Sequence, residues 1–168
     1  MAKKKKICFF DSNMLIWLFQ GRAADPVITK EHEIVQNEVD ELLKEGAALY
    51  ISVPALFELL INVPDISDRE EIMSMIGNSF YLVPFDLQSA LLGSDAYAAQ
   101  FAELKKIHKG EQNIRNLLKT DVQIMSTALA RNADLMYSDD KDIKKMEGHG
   151  ITVKKLKDIV YQAKLPEE

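Results

Sequence analysis

The 168-residue sequence has a single cysteine, Cys8, which excludes a disulfide framework and a thiolate metal site. Its three histidines, His32, His108 and His149, are scattered without zinc-ligand spacing. No apolar run is long enough to span a bilayer, so no membrane partner is expected. The basic start Met1-Ala2-Lys3-Lys4-Lys5-Lys6 leads into an apolar run that holds Asp11 and Asn13, which argues against a signal peptide. A glycine-rich phosphate loop, a Ser-His-Asp set with supporting motifs and a Cys-His pair are also missing. The expected setting is reducing and cytoplasmic. Bases are outnumbered, 21 Lys and Arg against 26 Asp and Glu, for a net charge of −5. That balance is not the footprint of a general nucleic-acid binder. An acidic enzyme still acts on RNA when its acids hold metal ions and its bases cluster locally. Lys105, Lys106, Lys109, Arg115 and Lys119 cluster in this way just before Asp121.

The length suits one domain with a proper core, residues 1–168, in which 1–6 form a basic leader and 164–168 a tail. No internal repeat or linker interrupts it. Short apolar runs at 7–10, 49–52, 80–83, 135–137 and 151–153 read as strands. Between them, helical periodicity marks 13–19 (after Ser12 as N-cap), 31–43 (stripe Ile34, Val39, Leu42 and Leu43), 55–61, 70–76 and 87–107. In the last of these, Ala90, Leu91, Tyr97, Ala98, Phe101 and Leu104 are core candidates. A turn-rich break falls at 21–26, and 156–163 reads as a terminal helix. Thr120 followed by Gln123 is a capping-box pattern, which predicts a helix opening at Asp121 and closing at Asn132-Ala133. Alternation of strand and helix predicts a parallel sheet covered on both faces.

Right-handed crossovers put every strand's carboxyl end on one rim. That rule gathers Asp11, which ends the first strand, Asp121, and Asp140, which follows the 135–137 strand through Ser138-Asp139. Carboxylates crowded together need a cation. Oxygen ligands without His or Cys favour Mg²⁺ or Mn²⁺ over zinc. Such ions activate water and support phosphoryl displacement. Glu58, set among Leu56, Phe57, Leu59 and Leu60, reads as directed inward as readily as solvated. The bland alternative for Asp11 and for the aspartates after 137 is that they cap and solvate turns.

The residues then resemble a family. Phe9-Phe10-Asp11-Ser12-Asn13-Met14-Leu15 looks like the opening motif of PIN-domain ribonucleases, and Val53-Pro54-Ala55-Leu56-Phe57-Glu58 like the segment carrying their second acid. Asp121 in a helix ending Ala128-Leu129-Ala130 looks like the third, and Ser138-Asp139-Asp140-Lys141-Asp142-Ile143 like the closing pattern. Ile143 stands where an aromatic is common, and Leu117-Leu118-Lys119-Thr120 where smaller residues are usual. The resemblance implies a PIN-like α/β/α sandwich with a central parallel sheet of four or five strands. It implies a Mg²⁺- or Mn²⁺-dependent endoribonuclease, of the VapC-like toxin kind that pairs with a small antitoxin and forms homodimers. On this resemblance Asp11, Glu58, Asp121 and Asp140 are catalytic, and Asp11, Asp121, Asp140 and Asp142 hold metal. Ser12, Asn13 and Ser138 support those acids. Arg115 and Lys119, the bases nearest in sequence to Asp121, are expected to hold the RNA backbone, the alternative being a solvated basic face. Within the last motif, Asp140 is expected to be needed, Asp142 helpful and Asp139 dispensable, turned outward. The alternatives are a non-catalytic PIN-like module that binds RNA or protein, and a metal-dependent phosphatase.

Overall fold

The computed structural model describes residues 5–19, 29–107, 114–141, 143 and 150–161, with side chains described for all of these except 99–107 and 114–118. The basic start through Lys4, the break at 21–26, Asp142 and the tail lie outside the described residues, as do the side chains of Phe101, Leu104, Lys105, Lys106 and Arg115.

Five strands, β1 (Ile7–Phe10), β2 (Ala48–Ser52), β3 (Tyr81–Val83), β4 (Leu135–Tyr137) and β5 (Thr152–Lys154), form one sheet in the order β3-β2-β1-β4-β5. All neighbouring pairs are parallel. Among the described residues six α-helices flank it: α1 (Ser12–Phe19), α2 (Lys30–Lys44), α3 (Val53–Ile61), α4 (Ile66–Ser79), α5 (Leu87–Ile107) and α6 (Ile114–Ala130). The expected α/β/α sandwich is therefore observed, with five strands. β1 lies at the centre, and the chain winds outward from it first through β2 and β3, then through β4 and β5. The crevice where winding reverses lies at the carboxyl ends of β1 and β4, the usual ligand position in such sheets. No described helix is long and apolar enough to cross a membrane.

Local signals explain most boundaries. Thr29 caps α2 by accepting the His32 N–H, Ser52 caps α3 by accepting the Ala55 N–H, and Asp65 caps α4 by accepting the Ser67 N–H. Gly46 (φ +76°) and Asn132 (φ +50°) take the left-handed conformation that closes α2 and α6. In both, the next residue donates five positions back, Ala47 to Leu42 O and Ala133 to Ala128 O.

Several expectations fail for identifiable reasons. Thr120 is not a cap and Asp121 does not open a helix: α6 begins at Ile114 and runs through both. No Gly or Pro separates 114 from 130, so nothing stops helical propagation at the capping-box pattern. α1 starts at Ser12 itself, with Asp11 in the capping position. α4 extends beyond the expected 70–76 at both ends, because Asp65 caps it early and Gly77-Asn78 stays helical. The last segment makes a single 3-10 turn, Leu156–Asp158, after which Ile159 is extended. In α2, Val39 and Leu42 are buried and Ile34 packs against the core as expected, but Leu43 is exposed and Val35 joins the buried stripe instead. In α5, Leu91 and Ala98 face outward, while Ser89, Gly93 and Ala96 face in. Small residues there let α5 and α6 approach closely: a Cβ added at Gly93 would lie 2.9 Å from Ser126 Oγ.

Candidate active site

Asp11 leaves β1 directly into α1, and it is 2% exposed. Its backbone N–H donates to Tyr137 O at 3.0 Å, which ties the ends of β1 and β4 together. Oδ1 accepts the Ser12 N–H at 2.7 Å, with the Ser12 hydroxyl at 3.4 Å. Oδ2 accepts the Ser138 hydroxyl at 2.6 Å. A buried carboxylate is costly even with such donors. Burial raises the Asp11 pKa to about 6, opposed by the Ser138 and Ser12 hydrogen bonds and reinforced by the charges of Asp140 and Glu58.

The loop after β4 supplies the second wall. The fully buried Ser138 also accepts the Asp140 N–H at 3.1 Å, so one hydroxyl joins the two aspartates. Asp140 Oδ1 accepts the Ile143 N–H at 3.3 Å, and Ile143 is buried where an aromatic was the expected residue type. The Asp139 N–H donates to Asn13 Oδ1 at 3.4 Å. Asp139 does not turn freely outward: its Oδ1 accepts the Leu156 N–H at 2.9 Å. Glu58, on α3, is half-buried, and its charge reaches Asp11. The structure thus brings together Asp11, Ser12, Asn13, Glu58, Ser138 and Asp140. Asp121 is also half-buried, on α6, which packs against α3. It stands three and four residues before buried Ile124 and Met125, on the inward face of its helix. Lys119 is exposed on the same helix.

Beneath this pair of strand ends lies a polar node that the sequence reading missed. Glu38 Oε1, on α2, accepts the Tyr137 hydroxyl at 2.6 Å and Lys154 Nζ at 2.7 Å. Tyr137 is fully buried, stacked on Phe10 at 4.7 Å, and burial and the Glu38 carboxylate push its pKa far above the usual phenol range. Lys154 returns to the same strand end through its carbonyl, which accepts the Ser138 N–H at 3.1 Å. The available signal was Glu38 in the line 35, 38, 39, 42, a charge set within the buried stripe of α2.

The donor chemistry decides what the site can hold. Its charged side chains are carboxylates, hard donors that suit Mg²⁺ or Mn²⁺ and not zinc. Among the described residues no group of three or more His, Cys, Asp or Glu side chains converges as a complete cage. Mg²⁺ does not require one, since it binds through one or two carboxylates and keeps its waters. The like charges of Asp140 and Glu58 acting on buried Asp11 are what a divalent cation would offset. The residues therefore fit a hydrated Mg²⁺ or Mn²⁺.

No family model and no curated protein sequence matches this chain. Solved structures do. It superposes on a chain of VapBC2 from Rickettsia felis, bound to a DNA fragment from its promoter, with a TM-score of 0.63 at 16% identity, over 89% of this chain and 98% of that one. DNA-bound VapBC from Salmonella typhimurium gives 0.59 at 15% identity, over 90% and 98%. VapBC-1 from nontypeable Haemophilus influenzae gives 0.59 at 18% identity, over 90% and 98%. At these identities the likeness establishes the fold, and the PIN-like sandwich expected from the sequence is the one the chain adopts.

Proposed function

We propose that this protein is a Mg²⁺- or Mn²⁺-dependent endoribonuclease of the PIN type, acting as the toxin of a toxin–antitoxin pair. The observation that carries the reading is Asp11, buried at the switch point of a parallel sheet, held by Ser12 and Ser138 and facing the charges of Asp140 and Glu58. Likeness to chains of VapBC structures supports it, and supports a small protein partner.

In this reading Asp11 and Asp140 would hold the metal, with Asp121 and Asp142 as further candidate ligands. The bound ion supplies a lowered pKa for water and charge stabilisation at the phosphate. Ser138 fixes the Asp11 oxygen it donates to, and the Asp140 backbone through the oxygen that accepts. A carboxylate oxygen of Glu58 takes the proton of the attacking water. Arg115 and Lys119 hold the RNA backbone; charge reversal at both lowers RNA affinity and flattens its salt dependence, and unaltered binding would reject their role.

The deciding experiment is an assay on mixed RNAs with added Mg²⁺ or Mn²⁺. Cleavage is expected, lost with chelator and lost in Asp11→Asn and Asp140→Asn, both folded. Wild type that binds RNA without cutting it under any metal would replace this reading with a binding module. Cleavage of small phosphate monoesters but not RNA would point to a phosphatase.

A further inference from the structure

We propose that Asp139 is a positioning residue of this site, whose carboxylate anchors the loop bearing Ser138 and Asp140 to the chain that leaves β5. The inference rests on the nuclease reading for its kinetic consequence and on hydrogen-bond geometry for the anchor itself. Three residues, 138 to 140, carry the contacts that assemble the site. Ser138 is tied on one side to Asp11 and on the other to the Lys154 carbonyl. Asp139 continues both ties by one residue. Its N–H reaches Asn13 at the start of α1, and its Oδ1 takes the N–H of Leu156, the first residue of the 3-10 turn after β5.

That first N–H of a helical turn has no partner within the turn. The neighbouring Lys155 N–H is taken by Asp158 within the same segment, whereas the Leu156 N–H is taken from across the fold. The anchor therefore serves two purposes: it satisfies the turn, and it stops the loop from sliding along the rim. Asp140 follows one residue later. Its N–H already depends on the Ser138 hydroxyl that also holds Asp11. A displaced Asp139 backbone moves the Asp140 carboxylate relative to Asp11, and errors of about 1 Å in such geometry cost rate on the order of a hundredfold. The anchor needs an acceptor atom at Oδ1 and not a negative charge. Asn supplies that atom; Ala removes it; the Ser hydroxyl ends one bond short.

The test compares Asp139→Ala, Asp139→Ser and Asp139→Asn with wild type for RNA cleavage against Mg²⁺ concentration, with melting temperature and amide hydrogen exchange measured alongside. Asp139→Ala and Asp139→Ser are expected to lower kcat about tenfold or more and to require more Mg²⁺, with KM for RNA within about twofold. Faster exchange at Leu156 and through residues 138–143 accompanies the loss, while Asp139→Asn recovers both readouts. Equal kcat and Mg²⁺ dependence in Asp139→Ala and wild type would overturn the proposal. So would equal losses in Ala and Asn, which would make charge the cause. If wild type cleaves nothing, the nuclease reading fails separately, and unaltered exchange at Leu156 in Asp139→Ala would then reject the anchor on its own.

Discussion

At the scale of single residues, the chain places a carboxylate where burial alone would not permit it. Asp11 keeps two strong hydrogen bonds, yet burial and the charges of Asp140 and Glu58 still raise its proton affinity. The site is thus charged at a cost to the fold, on the order of 3 kcal/mol at about 1.4 kcal/mol per tenfold change in proton binding. Removing the charge should therefore stabilise the metal-free protein. Asp11→Asn is expected to melt several degrees above wild type at neutral pH in chelator. Mg²⁺ should raise the melting temperature of wild type and leave the variant unmoved. A wild type insensitive to Mg²⁺ would contradict the assignment of Asp11 as a ligand. Asp139 teaches a different lesson: a residue judged by alternation to point outward is held by a backbone donor 17 positions away.

At the scale of elements, Asp86 joins α5 to α6. Its Oδ1 accepts the Ser89 N–H and hydroxyl at the start of α5, and its Oδ2 accepts Arg131 Nη2 at 2.6 Å just past the end of α6. The Ser89 N–H, the Arg131 guanidinium and the Ser89 hydroxyl hold the Asp86 pKa well below the usual carboxylate range. A depressed carboxylate stabilises the fold above its unfolded pKa, near 3.9, and loses that contribution as pH falls through the folded value. Asp86→Asn keeps a helix cap but loses the ion pair. Its melting temperature should fall below that of wild type at pH 7, and the gap should begin to narrow below about pH 4 and keep shrinking as pH falls toward the depressed folded value. A gap independent of pH would show that the charge is not what matters. The same helix pair depends on Gly93. Gly93→Ala should destabilise the protein, by about 1–3 kcal/mol in denaturant titration, through overpacking on Ser126 and Val122. Ser126→Ala in the same chain should recover part of that loss. A neutral Gly93→Ala would show that α6 yields easily.

At the scale of the whole molecule, the sheet gathers functional groups on one rim and leaves an apolar line on another surface. Val53, Phe57 and Ile61 on α3 are 45, 64 and 59% exposed and recur every four residues. Such a line is self-complementary if two copies meet about a twofold axis. If the homodimer expected from the family resemblance forms, this line on α3 is a candidate face for it, whereas the exposed side of α2 is largely polar. Light scattering should find a dimer at micromolar concentration, and Phe57→Asp should shift it to monomer with the fold unchanged by circular dichroism. A monomeric wild type at high concentration would reject the dimer.

The order of strands and the parallel sheet were legible in the sequence, because period, caps and short apolar runs are local properties of the chain. Asp11, Glu58, Ser138 and Asp140 stand out in the sequence as candidates, and the fold places them near one another. The bounds of β1 and β4 and the start of α5 agree with the local sequence signals that mark them. The start of α6 does not, because a capping-box pattern has no force inside a helix that already propagates through it. Which α5 residues face inward depends on the packing of α6, where Gly93 lies against Ser126 and Val122 with no room for a Cβ. The Glu38–Tyr137–Lys154 node and the Asp139–Leu156 anchor join residues between 17 and 116 positions apart. Such pairings form only when sheet order brings α2, β4 and β5 side by side, so the tertiary structure alone decides them.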